Sequence, residues 1–370
     1  MQVAVIIQDL RRRIVTGEYA PGAQIPLRQS LLKTYGASMC TVQRAVNHLL
    51  EEGFLEGHGS KGMFVPACPP HRFQIGITFP VVKSDRNVPW DSHWQALEQA
   101  AAAFHAADPR YTFKIYYGMG INQDEETKRQ LLDDLHGDRL AGLLVLEYAR
   151  IFNLLRQELP KIPVVIFVEA EAATPAKPRP VEISHDYVQM FSMAVDHLRS
   201  RGRKRIAVVT NTELPTDRLP KFRKILREAG VVTRPEWMQG VCLCQESIPW
   251  TANVVKGLFS PNLKDKPDSL IILNENLTAT ATRALAELDL IPGQDIDVVS
   301  HSNFPTAGTP LKGVSRVGFD AHEGLATAIR LISRARQGQP VPGRSTLGAV
   351  WEQQTRKGGV VKTTRAQSFS

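Results

Sequence analysis

From Phe73 onward, short apolar runs alternate with amphipathic stretches of helical period, and this alternation constrains the fold more than any other feature of the chain. A strand, a helix and a second strand close most readily as a parallel pair with the helix lying across one face. Repeated alternation therefore predicts parallel sheets covered on both sides. The strands read as Phe73 to Phe79, Tyr111 to Tyr117, Leu140 to Leu146, Val164 to Val168, Arg205 to Thr210, Gln239 to Leu243, Ser269 to Leu273 and Asp295 to Ser300. The helices read as Ser92 to Ala107, Gln123 to Leu135, Tyr187 to Ser200, Asp217 to Ala229, Leu277 to Leu288 and Ala321 to Arg336. No internal repeat is evident, but the elements fall into two sheet-and-helix halves.

Upstream, Pro66, Ala67, Cys68, Pro69 and Pro70 interrupt all periodicity and read as a semi-stiff tether. The expected organisation is a first unit over residues 1–66, a linker over 67–72, an α/β unit over 73–357 and a loose polar tail over 358–370. A chain of 370 residues has room for two or three such units.

The first unit has its own pattern. Val3, Ile6, Ile7, Leu10 and Ile14 recur at helical spacing, and a second short helix fits Leu27 to Tyr35. After Gly36, Ser38 is placed to cap a third helix whose Val42, Ala45, Val46 and Leu49 form a buried stripe. Gln43, Arg44 and Asn47 then fall on the outer side. Phe54 to Glu56 and Met63 to Val65, joined by glycines around His58 and Lys61, read as a two-stranded wing. A helix pair of this kind offers its second helix to a major groove, with the positive amino end toward phosphates. Arg11, Arg12 and Arg13 form a charge run that reads as a wet face or a phosphate contact.

The segments "DLRRRIVTGEYAPGAQIP", "YGASMCTVQRAVNHLLEEGFL" and "GSKGMFV" resemble the DNA-binding domain of the GntR family of bacterial regulators. The resemblance implies a winged helix-turn-helix reading double-stranded DNA through Arg28, Gln29, Ser38, Cys40, Thr41, Gln43, Arg44, Asn47, His58 and Lys61. Ser38 reads first as a cap, and Cys40 also reads as a space-filler. Gln29, Met39 and Gln43 stand where that family usually carries Arg. Because Arg is the usual reader of guanine and Gln prefers adenine, the operator is expected to differ from the family's common one.

The larger unit resembles the two-lobed sensor domain of the LacI/GalR family, which shares its fold with periplasmic sugar-binding proteins. The resemblance is carried by "HDYVQMFSMAVDHLRSRGRKRIAVVTN", "PDSLIILNENLTATATRALAELDLIPGQDIDVVS" and "LKGVSRVGFDAHEGLATAIRLI". It implies a small-molecule effector held between the lobes by Arg218, Asn274 and Trp90, with Trp90 equally readable as a core anchor beside Trp94 and Leu97. His185 and His301 stand where that family often has acids, and they read as pocket-wall or hydrogen-bonded groups. A neutral sugar, a sugar acid and a sugar phosphate all remain open as effector.

Other features bound the function. A net charge of +8 and a pI near 9.3 favour an anionic partner, yet the excess is spread along the chain. The run Arg199, Arg201, Arg203, Lys204, Arg205 reads as charges complementing a helix C-terminus. Cys40, Cys68, Cys242 and Cys244 are too scattered for a disulfide framework, and Cys242 with Cys244 read as buried thiols or, less simply, a thiolate pair. Residues 1–10 lack the pattern of a signal peptide, and no apolar run is long enough to span a bilayer, so a cytoplasmic protein with no membrane partner is expected.

A transport-type binding protein would need export and would not carry a DNA reader. Gly118, Met119 and Gly120 lack the third glycine of a dinucleotide loop, and His185 beside Asp186 makes no triad without a positioned nucleophile. No catalytic group, metal or cofactor is assigned. The expected protein is a regulator, repressing as a homodimer on a palindromic operator and controlled by its effector. The opposite sign of control stays open.

Overall fold

The computed structural model of this chain describes residues 2–82, 92–120, 124–146, 162–168, 180–212, 217–244, 247–306 and 311–355. Its architecture is α/β: a small helical unit with a wing, followed by two lobes, each built on a mostly parallel sheet.

Helices α1 (Gln2–Val15), α2 (Arg28–Tyr35) and α3 (Met39–Glu51) close on a core of Ile6, Leu10, Leu31, Val42, Val46, Leu49 and Phe54. Gly36 caps α2 in the left-handed conformation (φ 57°), which a residue without Cβ adopts freely, and so turns the chain tightly into α3. The wing pairs β1 (Glu56–Gly57) with β2 (Met63–Phe64) antiparallel. It is shorter than the sequence suggests, because Phe54, Leu55 and Val65 are drawn into the core as anchors.

The first lobe's sheet contains β3 (Gln74–Thr78), β4 (Thr112–Tyr116), β5 (Gly142–Leu146), β6 (Val164–Val168), β7 (Val181–His185) and β13 (Arg344–Leu347), all parallel, in the order β13-β7-β6-β5-β3-β4. The second contains β8 (Ile206–Asn211), β9 (Met238–Val241), β10 (Ser269–Ile272), β11 (Asp297–Phe304), β12 (Val314–Asp320) and β14 (Val350–Trp351), in the order β14-β12-β11-β10-β8-β9. Only β14, at the edge, runs antiparallel. Central β5, "GLLVL", is buried throughout, as a strand covered on both faces must be.

Helices α5 (Ser92–Ala107) and α6 (Glu125–His136) cover the first sheet, and α7 (Tyr187–Ser200), α8 (Arg218–Glu228), α9 (Trp250–Leu258) and α10 (Thr278–Ala286) the second. Helix α11 (Ala321–Arg336) follows β12 of the second lobe but packs into the core of the first through Leu325, Ala328, Ile329 and Ile332. The chain thus crosses between lobes three times: at Asp186 between β7 and α7, at Asp320 between β12 and α11, and at Gly348–Ala349 between β13 and β14. Each lobe's core strands follow the same order, second-first-third-fourth-fifth in chain sequence. The switch points of both sheets therefore lie at their carboxyl ends, facing one crevice.

The proline-rich stretch departs from the expected tether. Pro70 opens a single helical turn, α4 (Pro70–Phe73), and Pro69, Pro70 and His71 are buried. The His71 ring stacks on Phe54 of the first unit, centroids 5.9 Å apart and planes at 8°. Neither ring nitrogen has a hydrogen-bond partner, and burial, then the nearby Arg336 and Arg72, push its pKa down to about 4. The folded chain therefore holds His71 neutral where the unfolded chain would protonate it. The resulting stability is intact above about pH 6.5 and drains away as the pH falls toward 4, by as much as about 3 kcal/mol. His71→Phe, which keeps the stacked ring, is expected to shrink the drop in thermal midpoint between about pH 7 and pH 4.5 relative to wild type. Equal drops in both proteins would refute this role.

Candidate nucleic-acid interface and ligand crevice

Helix α3 is started by Ser38, whose Oγ accepts the Thr41 N–H at 3.2 Å and lies 2.8 Å from the Thr41 hydroxyl. Ser38 is thus engaged as a cap while exposed, and Thr41 is half-buried. With Val42, Ala45, Val46 and Leu49 turned inward, Arg44 and Asn47 are exposed, and Gln43 Nε2 donates to Asn47 Oδ1 at 2.6 Å across one helical turn. Among the described residues Arg44 has no ion-pair partner. Cys40 and Gln29 are exposed, whereas Arg28 is half-buried with its Nε enclosed and unbonded. At the wing, His58 packs on Phe64 and hydrogen-bonds Glu56 at 3.0 Å. Lys61 is exposed at the tip, its carbonyl held by Gln24 Nε2. The α3 face, Gln29, Lys61 and His58 therefore reach solvent, His58 with its ring engaged by Glu56 and Phe64, while Arg28 is half-buried.

The arginine run of α1 is not a uniform wet face. Arg12 and Arg13 pair with Asp9, and Arg11 is buried and bonded to Glu52 at the C-terminal end of α3. Glu52 also accepts from Arg139 of the first lobe and lies 3.2 Å from His48. Arg139 in turn donates to Asp134 at 2.6 Å, and Asp134, 2% exposed, accepts the Tyr116 hydroxyl and pairs with Lys114. A continuous charged relay thus runs from the end of the outward-facing helix into the first lobe.

In the crevice, the structure brings His185, His301 and Arg218 together, with four side chains not singled out from sequence: His93, Phe167, Tyr187 and Phe319. His185, ending β7, stacks on Phe167 (5.6 Å, 9°), meets His93 edge-on at 5.3 Å and touches Phe319 of the other lobe at 4.5 Å. Tyr187 bridges Phe319 and His301, and its ring lies 4.2 Å from the Arg218 guanidinium carbon. Burial, then His93, His301 and Arg218, hold the His185 pKa far below its usual value. Burial, then His93 and Arg218, push that of His301 down to about 3. Both imidazoles are thus neutral beside a buried arginine. Both ring nitrogens of His301 lack a hydrogen-bond partner.

Several other described polar groups near the crevice are engaged locally. Asn274 spends its Oδ1 on the Asn276 N–H at 3.0 Å, so its side chain is a turn cap in this structure. Glu275 binds the Asn303 backbone N–H at 3.0 Å and its side-chain amide, placing on the neighbouring turn the carboxylate that the end of β11 lacks. Ser92 Oγ donates to Asn276 Oδ1 at 3.1 Å across the lobes. Trp90 lies outside the described residues, as does the 358–370 tail.

Other expectations are revised. Cys242 and Cys244 follow the end of β9 and are exposed, not buried, because the strand stops at Val241. Among the described residues no cluster of three His, Cys, Asp or Glu could hold a metal, and no helix is long and apolar enough to cross a membrane. Within the Arg199–Arg205 run, Arg201 and Arg203 pair with Asp297 at the start of β11, and Arg205 lies near Asp268. That run ties a helix end to the sheet. Gly118 and Gly120 serve close chain approach, since a Cβ on Gly120 would run into the Pro80 carbonyl.

A helical unit with a solvent-facing third helix and wing, joined to two lobes around a polar crevice, defines a DNA reader coupled to a ligand-binding domain. Comparison with known proteins agrees. Residues 2–65 match bacterial regulatory proteins of the gntR family, and residues 195–356 match the periplasmic binding protein-like domain. Residues 2–65 thus carry a GntR-type DNA-binding domain and residues 195–356 a periplasmic binding protein-like domain, the domain combination of a transcriptional regulator. Over 315 residues the chain is 21% identical to an arabinose metabolism transcriptional repressor of Halalkalibacterium halodurans, covering 80% of this chain and 79% of that one. A 73-residue stretch is 33% identical to an uncharacterized HTH-type transcriptional regulator of Bacillus subtilis, covering 20% of this chain and 28% of the relative. In fold, the chain is similar to a regulatory protein of the LacI family from Chloroflexus aggregans, with a TM-score of 0.58 at 17% identity over 75% of this chain and 96% of that one.

The relay at Glu52 makes a measurable claim. Glu52→Gln keeps the shape but leaves Arg11 and Arg139 without their shared counter-charge, a loss of about 3 kcal/mol by the usual cost of breaking a buried ion pair. Limited proteolysis within residues 66–73 is expected to accelerate as the first unit loosens from the lobe. Unchanged cleavage kinetics would show that Glu52 does not hold the two together.

Proposed function

We propose that this regulator is a repressor that binds a palindromic operator as a homodimer and is controlled by a small sugar-like effector in the inter-lobe crevice. The observation that carries the reading is the outer face of α3: a capped, well-packed helix with Arg44 unpaired among the described residues, and with Gln43 and Asn47 satisfying each other beside it. Adenine offers the donor and acceptor that a Gln or Asn amide can exchange for, and guanine the pair of acceptors that Arg44 can fork. Lys61 at the wing tip and the amino end of α3 add phosphate contacts. Two copies related by a two-fold axis would double this footprint on half-sites about one helical turn, or a multiple of it, apart. The arabinose repressor relative supports both the repressing sign and the sugar-like effector. The protein works where its DNA is, in the cytoplasm.

Coupling runs through orientation. The effector shifts the balance between arrangements of the lobes, and the first lobe passes that shift to α3 through Arg139 and Glu52.

The operator is to be recovered from a pool of random duplexes, and its affinity measured at fixed salt. Gln43→Ala with Arg44→Ala is expected to weaken that site at least tenfold, since each base-reading side chain is worth about 1–3 kcal/mol. Lys61→Ala should weaken all duplexes alike and flatten the salt dependence by about one phosphate contact. Undiminished binding by the Gln43/Arg44 variant would overturn the reading. Arg139→Ala should leave DNA binding in place while the effector's influence on it shrinks.

A further inference from the structure

The effector crevice contains a positive charge with no partner among the described residues. Arg218 is 8% exposed, and among the described residues it makes no ion pair or hydrogen bond through its guanidinium; its described neighbour is the Tyr187 ring at 4.2 Å. Adjacent Asp217 points to the exposed side and pairs with Lys221 at 3.1 Å. His301 is 5% exposed with both ring nitrogens unbonded, and its ring packs against the same Tyr187 ring with centroids 5.7 Å apart.

Among the described residues, the carboxylates at the lobe crossings and at the end of β10 are already engaged. Glu275 holds Asn303, Asp186 caps α7 through the Gln189 N–H at 2.8 Å, and Asp320 caps α11 through the His322 N–H at 2.8 Å. Enclosing a guanidinium without a counter-ion is costly, and enclosing an unbonded imidazole adds to the cost. Both costs are relieved together by a ligand group that is planar or tetrahedral, negatively charged and rich in acceptors.

From this geometry we infer that the effector is an anion, a small polyhydroxylated molecule whose carboxylate or phosphate is forked by Arg218, with His301 donating a hydrogen bond to it. The assignment rests on the reading of this crevice as the effector site. It narrows the effector from the sugar-like class to its acidic members. The aromatic walls, Tyr187 and Phe319, then face the carbon skeleton, while the neutral histidines leave Arg218 as the charge that selects.

Thermal unfolding of the full chain, titrated with gluconate, glucuronate, glucose 6-phosphate, inorganic phosphate and neutral glucose and arabinose, tests it. Saturable stabilisation by one or more of the anions, absent for the neutral sugars, is expected. The sugar acids and glucose 6-phosphate separate a carboxylate from a phosphate requirement, and inorganic phosphate shows whether the anion alone suffices. Arg218→Gln should lose at least tenfold in affinity for the stabilising anion. His301→Asn, which keeps a donor at a smaller size, should lose less than His301→Leu. Circular dichroism of each variant without ligand checks that the lobes still fold, and tryptophan fluorescence of wild type gives a second readout of binding.

Stabilisation by neutral sugars alone, equal affinity in Arg218→Gln, or no saturable response to any of these anions would overturn the inference. DNA retention on the selected operator is measured in parallel. Release by a neutral sugar would sink the anionic assignment and leave the regulator intact. Anion binding in a protein that retains no duplex would sink the regulator reading and leave the anion site standing.

Discussion

Three passages of the chain along one seam govern this molecule. At Asp186, Asp320 and Gly348–Ala349 the backbone moves from one lobe to the other, and at the first two a carboxylate caps the helix that begins there. Because both sheets share one strand order, these passages lie at the carboxyl edge of each, where strands end and helices begin. The amino ends of α7 and α11 therefore start beside the crevice. The seam also holds the lobes in register, with Ala349 donating its N–H to Gln189 Oε1 at 2.8 Å on α7. Any relative motion of the lobes must turn about these three points.

The first unit is attached by a different kind of contact. Buried ion pairs contribute little net stability once desolvation is counted, but they tolerate few alternative geometries. Glu52, shared between Arg11 and Arg139, therefore acts on orientation more than on stability. Asp134 steadies Arg139 from the lobe side and is itself held by Tyr116, one strand from the crevice side of β3. The stacking of His71 on Phe54 supplies the apolar part of the same junction.

Much of the fold was legible because its strongest elements carry their own signals. Helices α5, α7 and α11 and strand β6 lie where periodicity places them. The elements that escaped are those whose partners make them. β7, "VEISH", and β13, "RSTL", are polar and short and become strands by pairing, β7 against β6 and β13 against β7 at the sheet's edge. β12, "VSRVGFD", mixes Arg and Gly into a run that pairing with β11 and β14 completes. The linker misled for a related reason: prolines that suit a tether equally suit the first turn of a docked helix. In the crevice, Arg218, His185 and His301 were visible through the resemblance to a known sensor. Tyr187, Phe319, His93 and Phe167 come from distant segments, and no local spacing brings them together. Asn274, expected at the ligand, also closes its own turn through the Asn276 N–H.

The aromatic cluster explains how so small a site could move so large a structure. Phe167 and His185 belong to the first lobe, Tyr187, His301 and Phe319 to the second, and the contact of His185 with Phe319 crosses between them. Each ring pair is worth about 0.5–1.5 kcal/mol beyond its burial, and two or three such contacts match the 1–3 kcal/mol that couples distant sites in regulators. A ligand lodged among these rings need not bind tightly to shift the balance of the lobes. It need only favour one packing of the rings over the other, because the rings, the helix caps and the hinge share the same few residues.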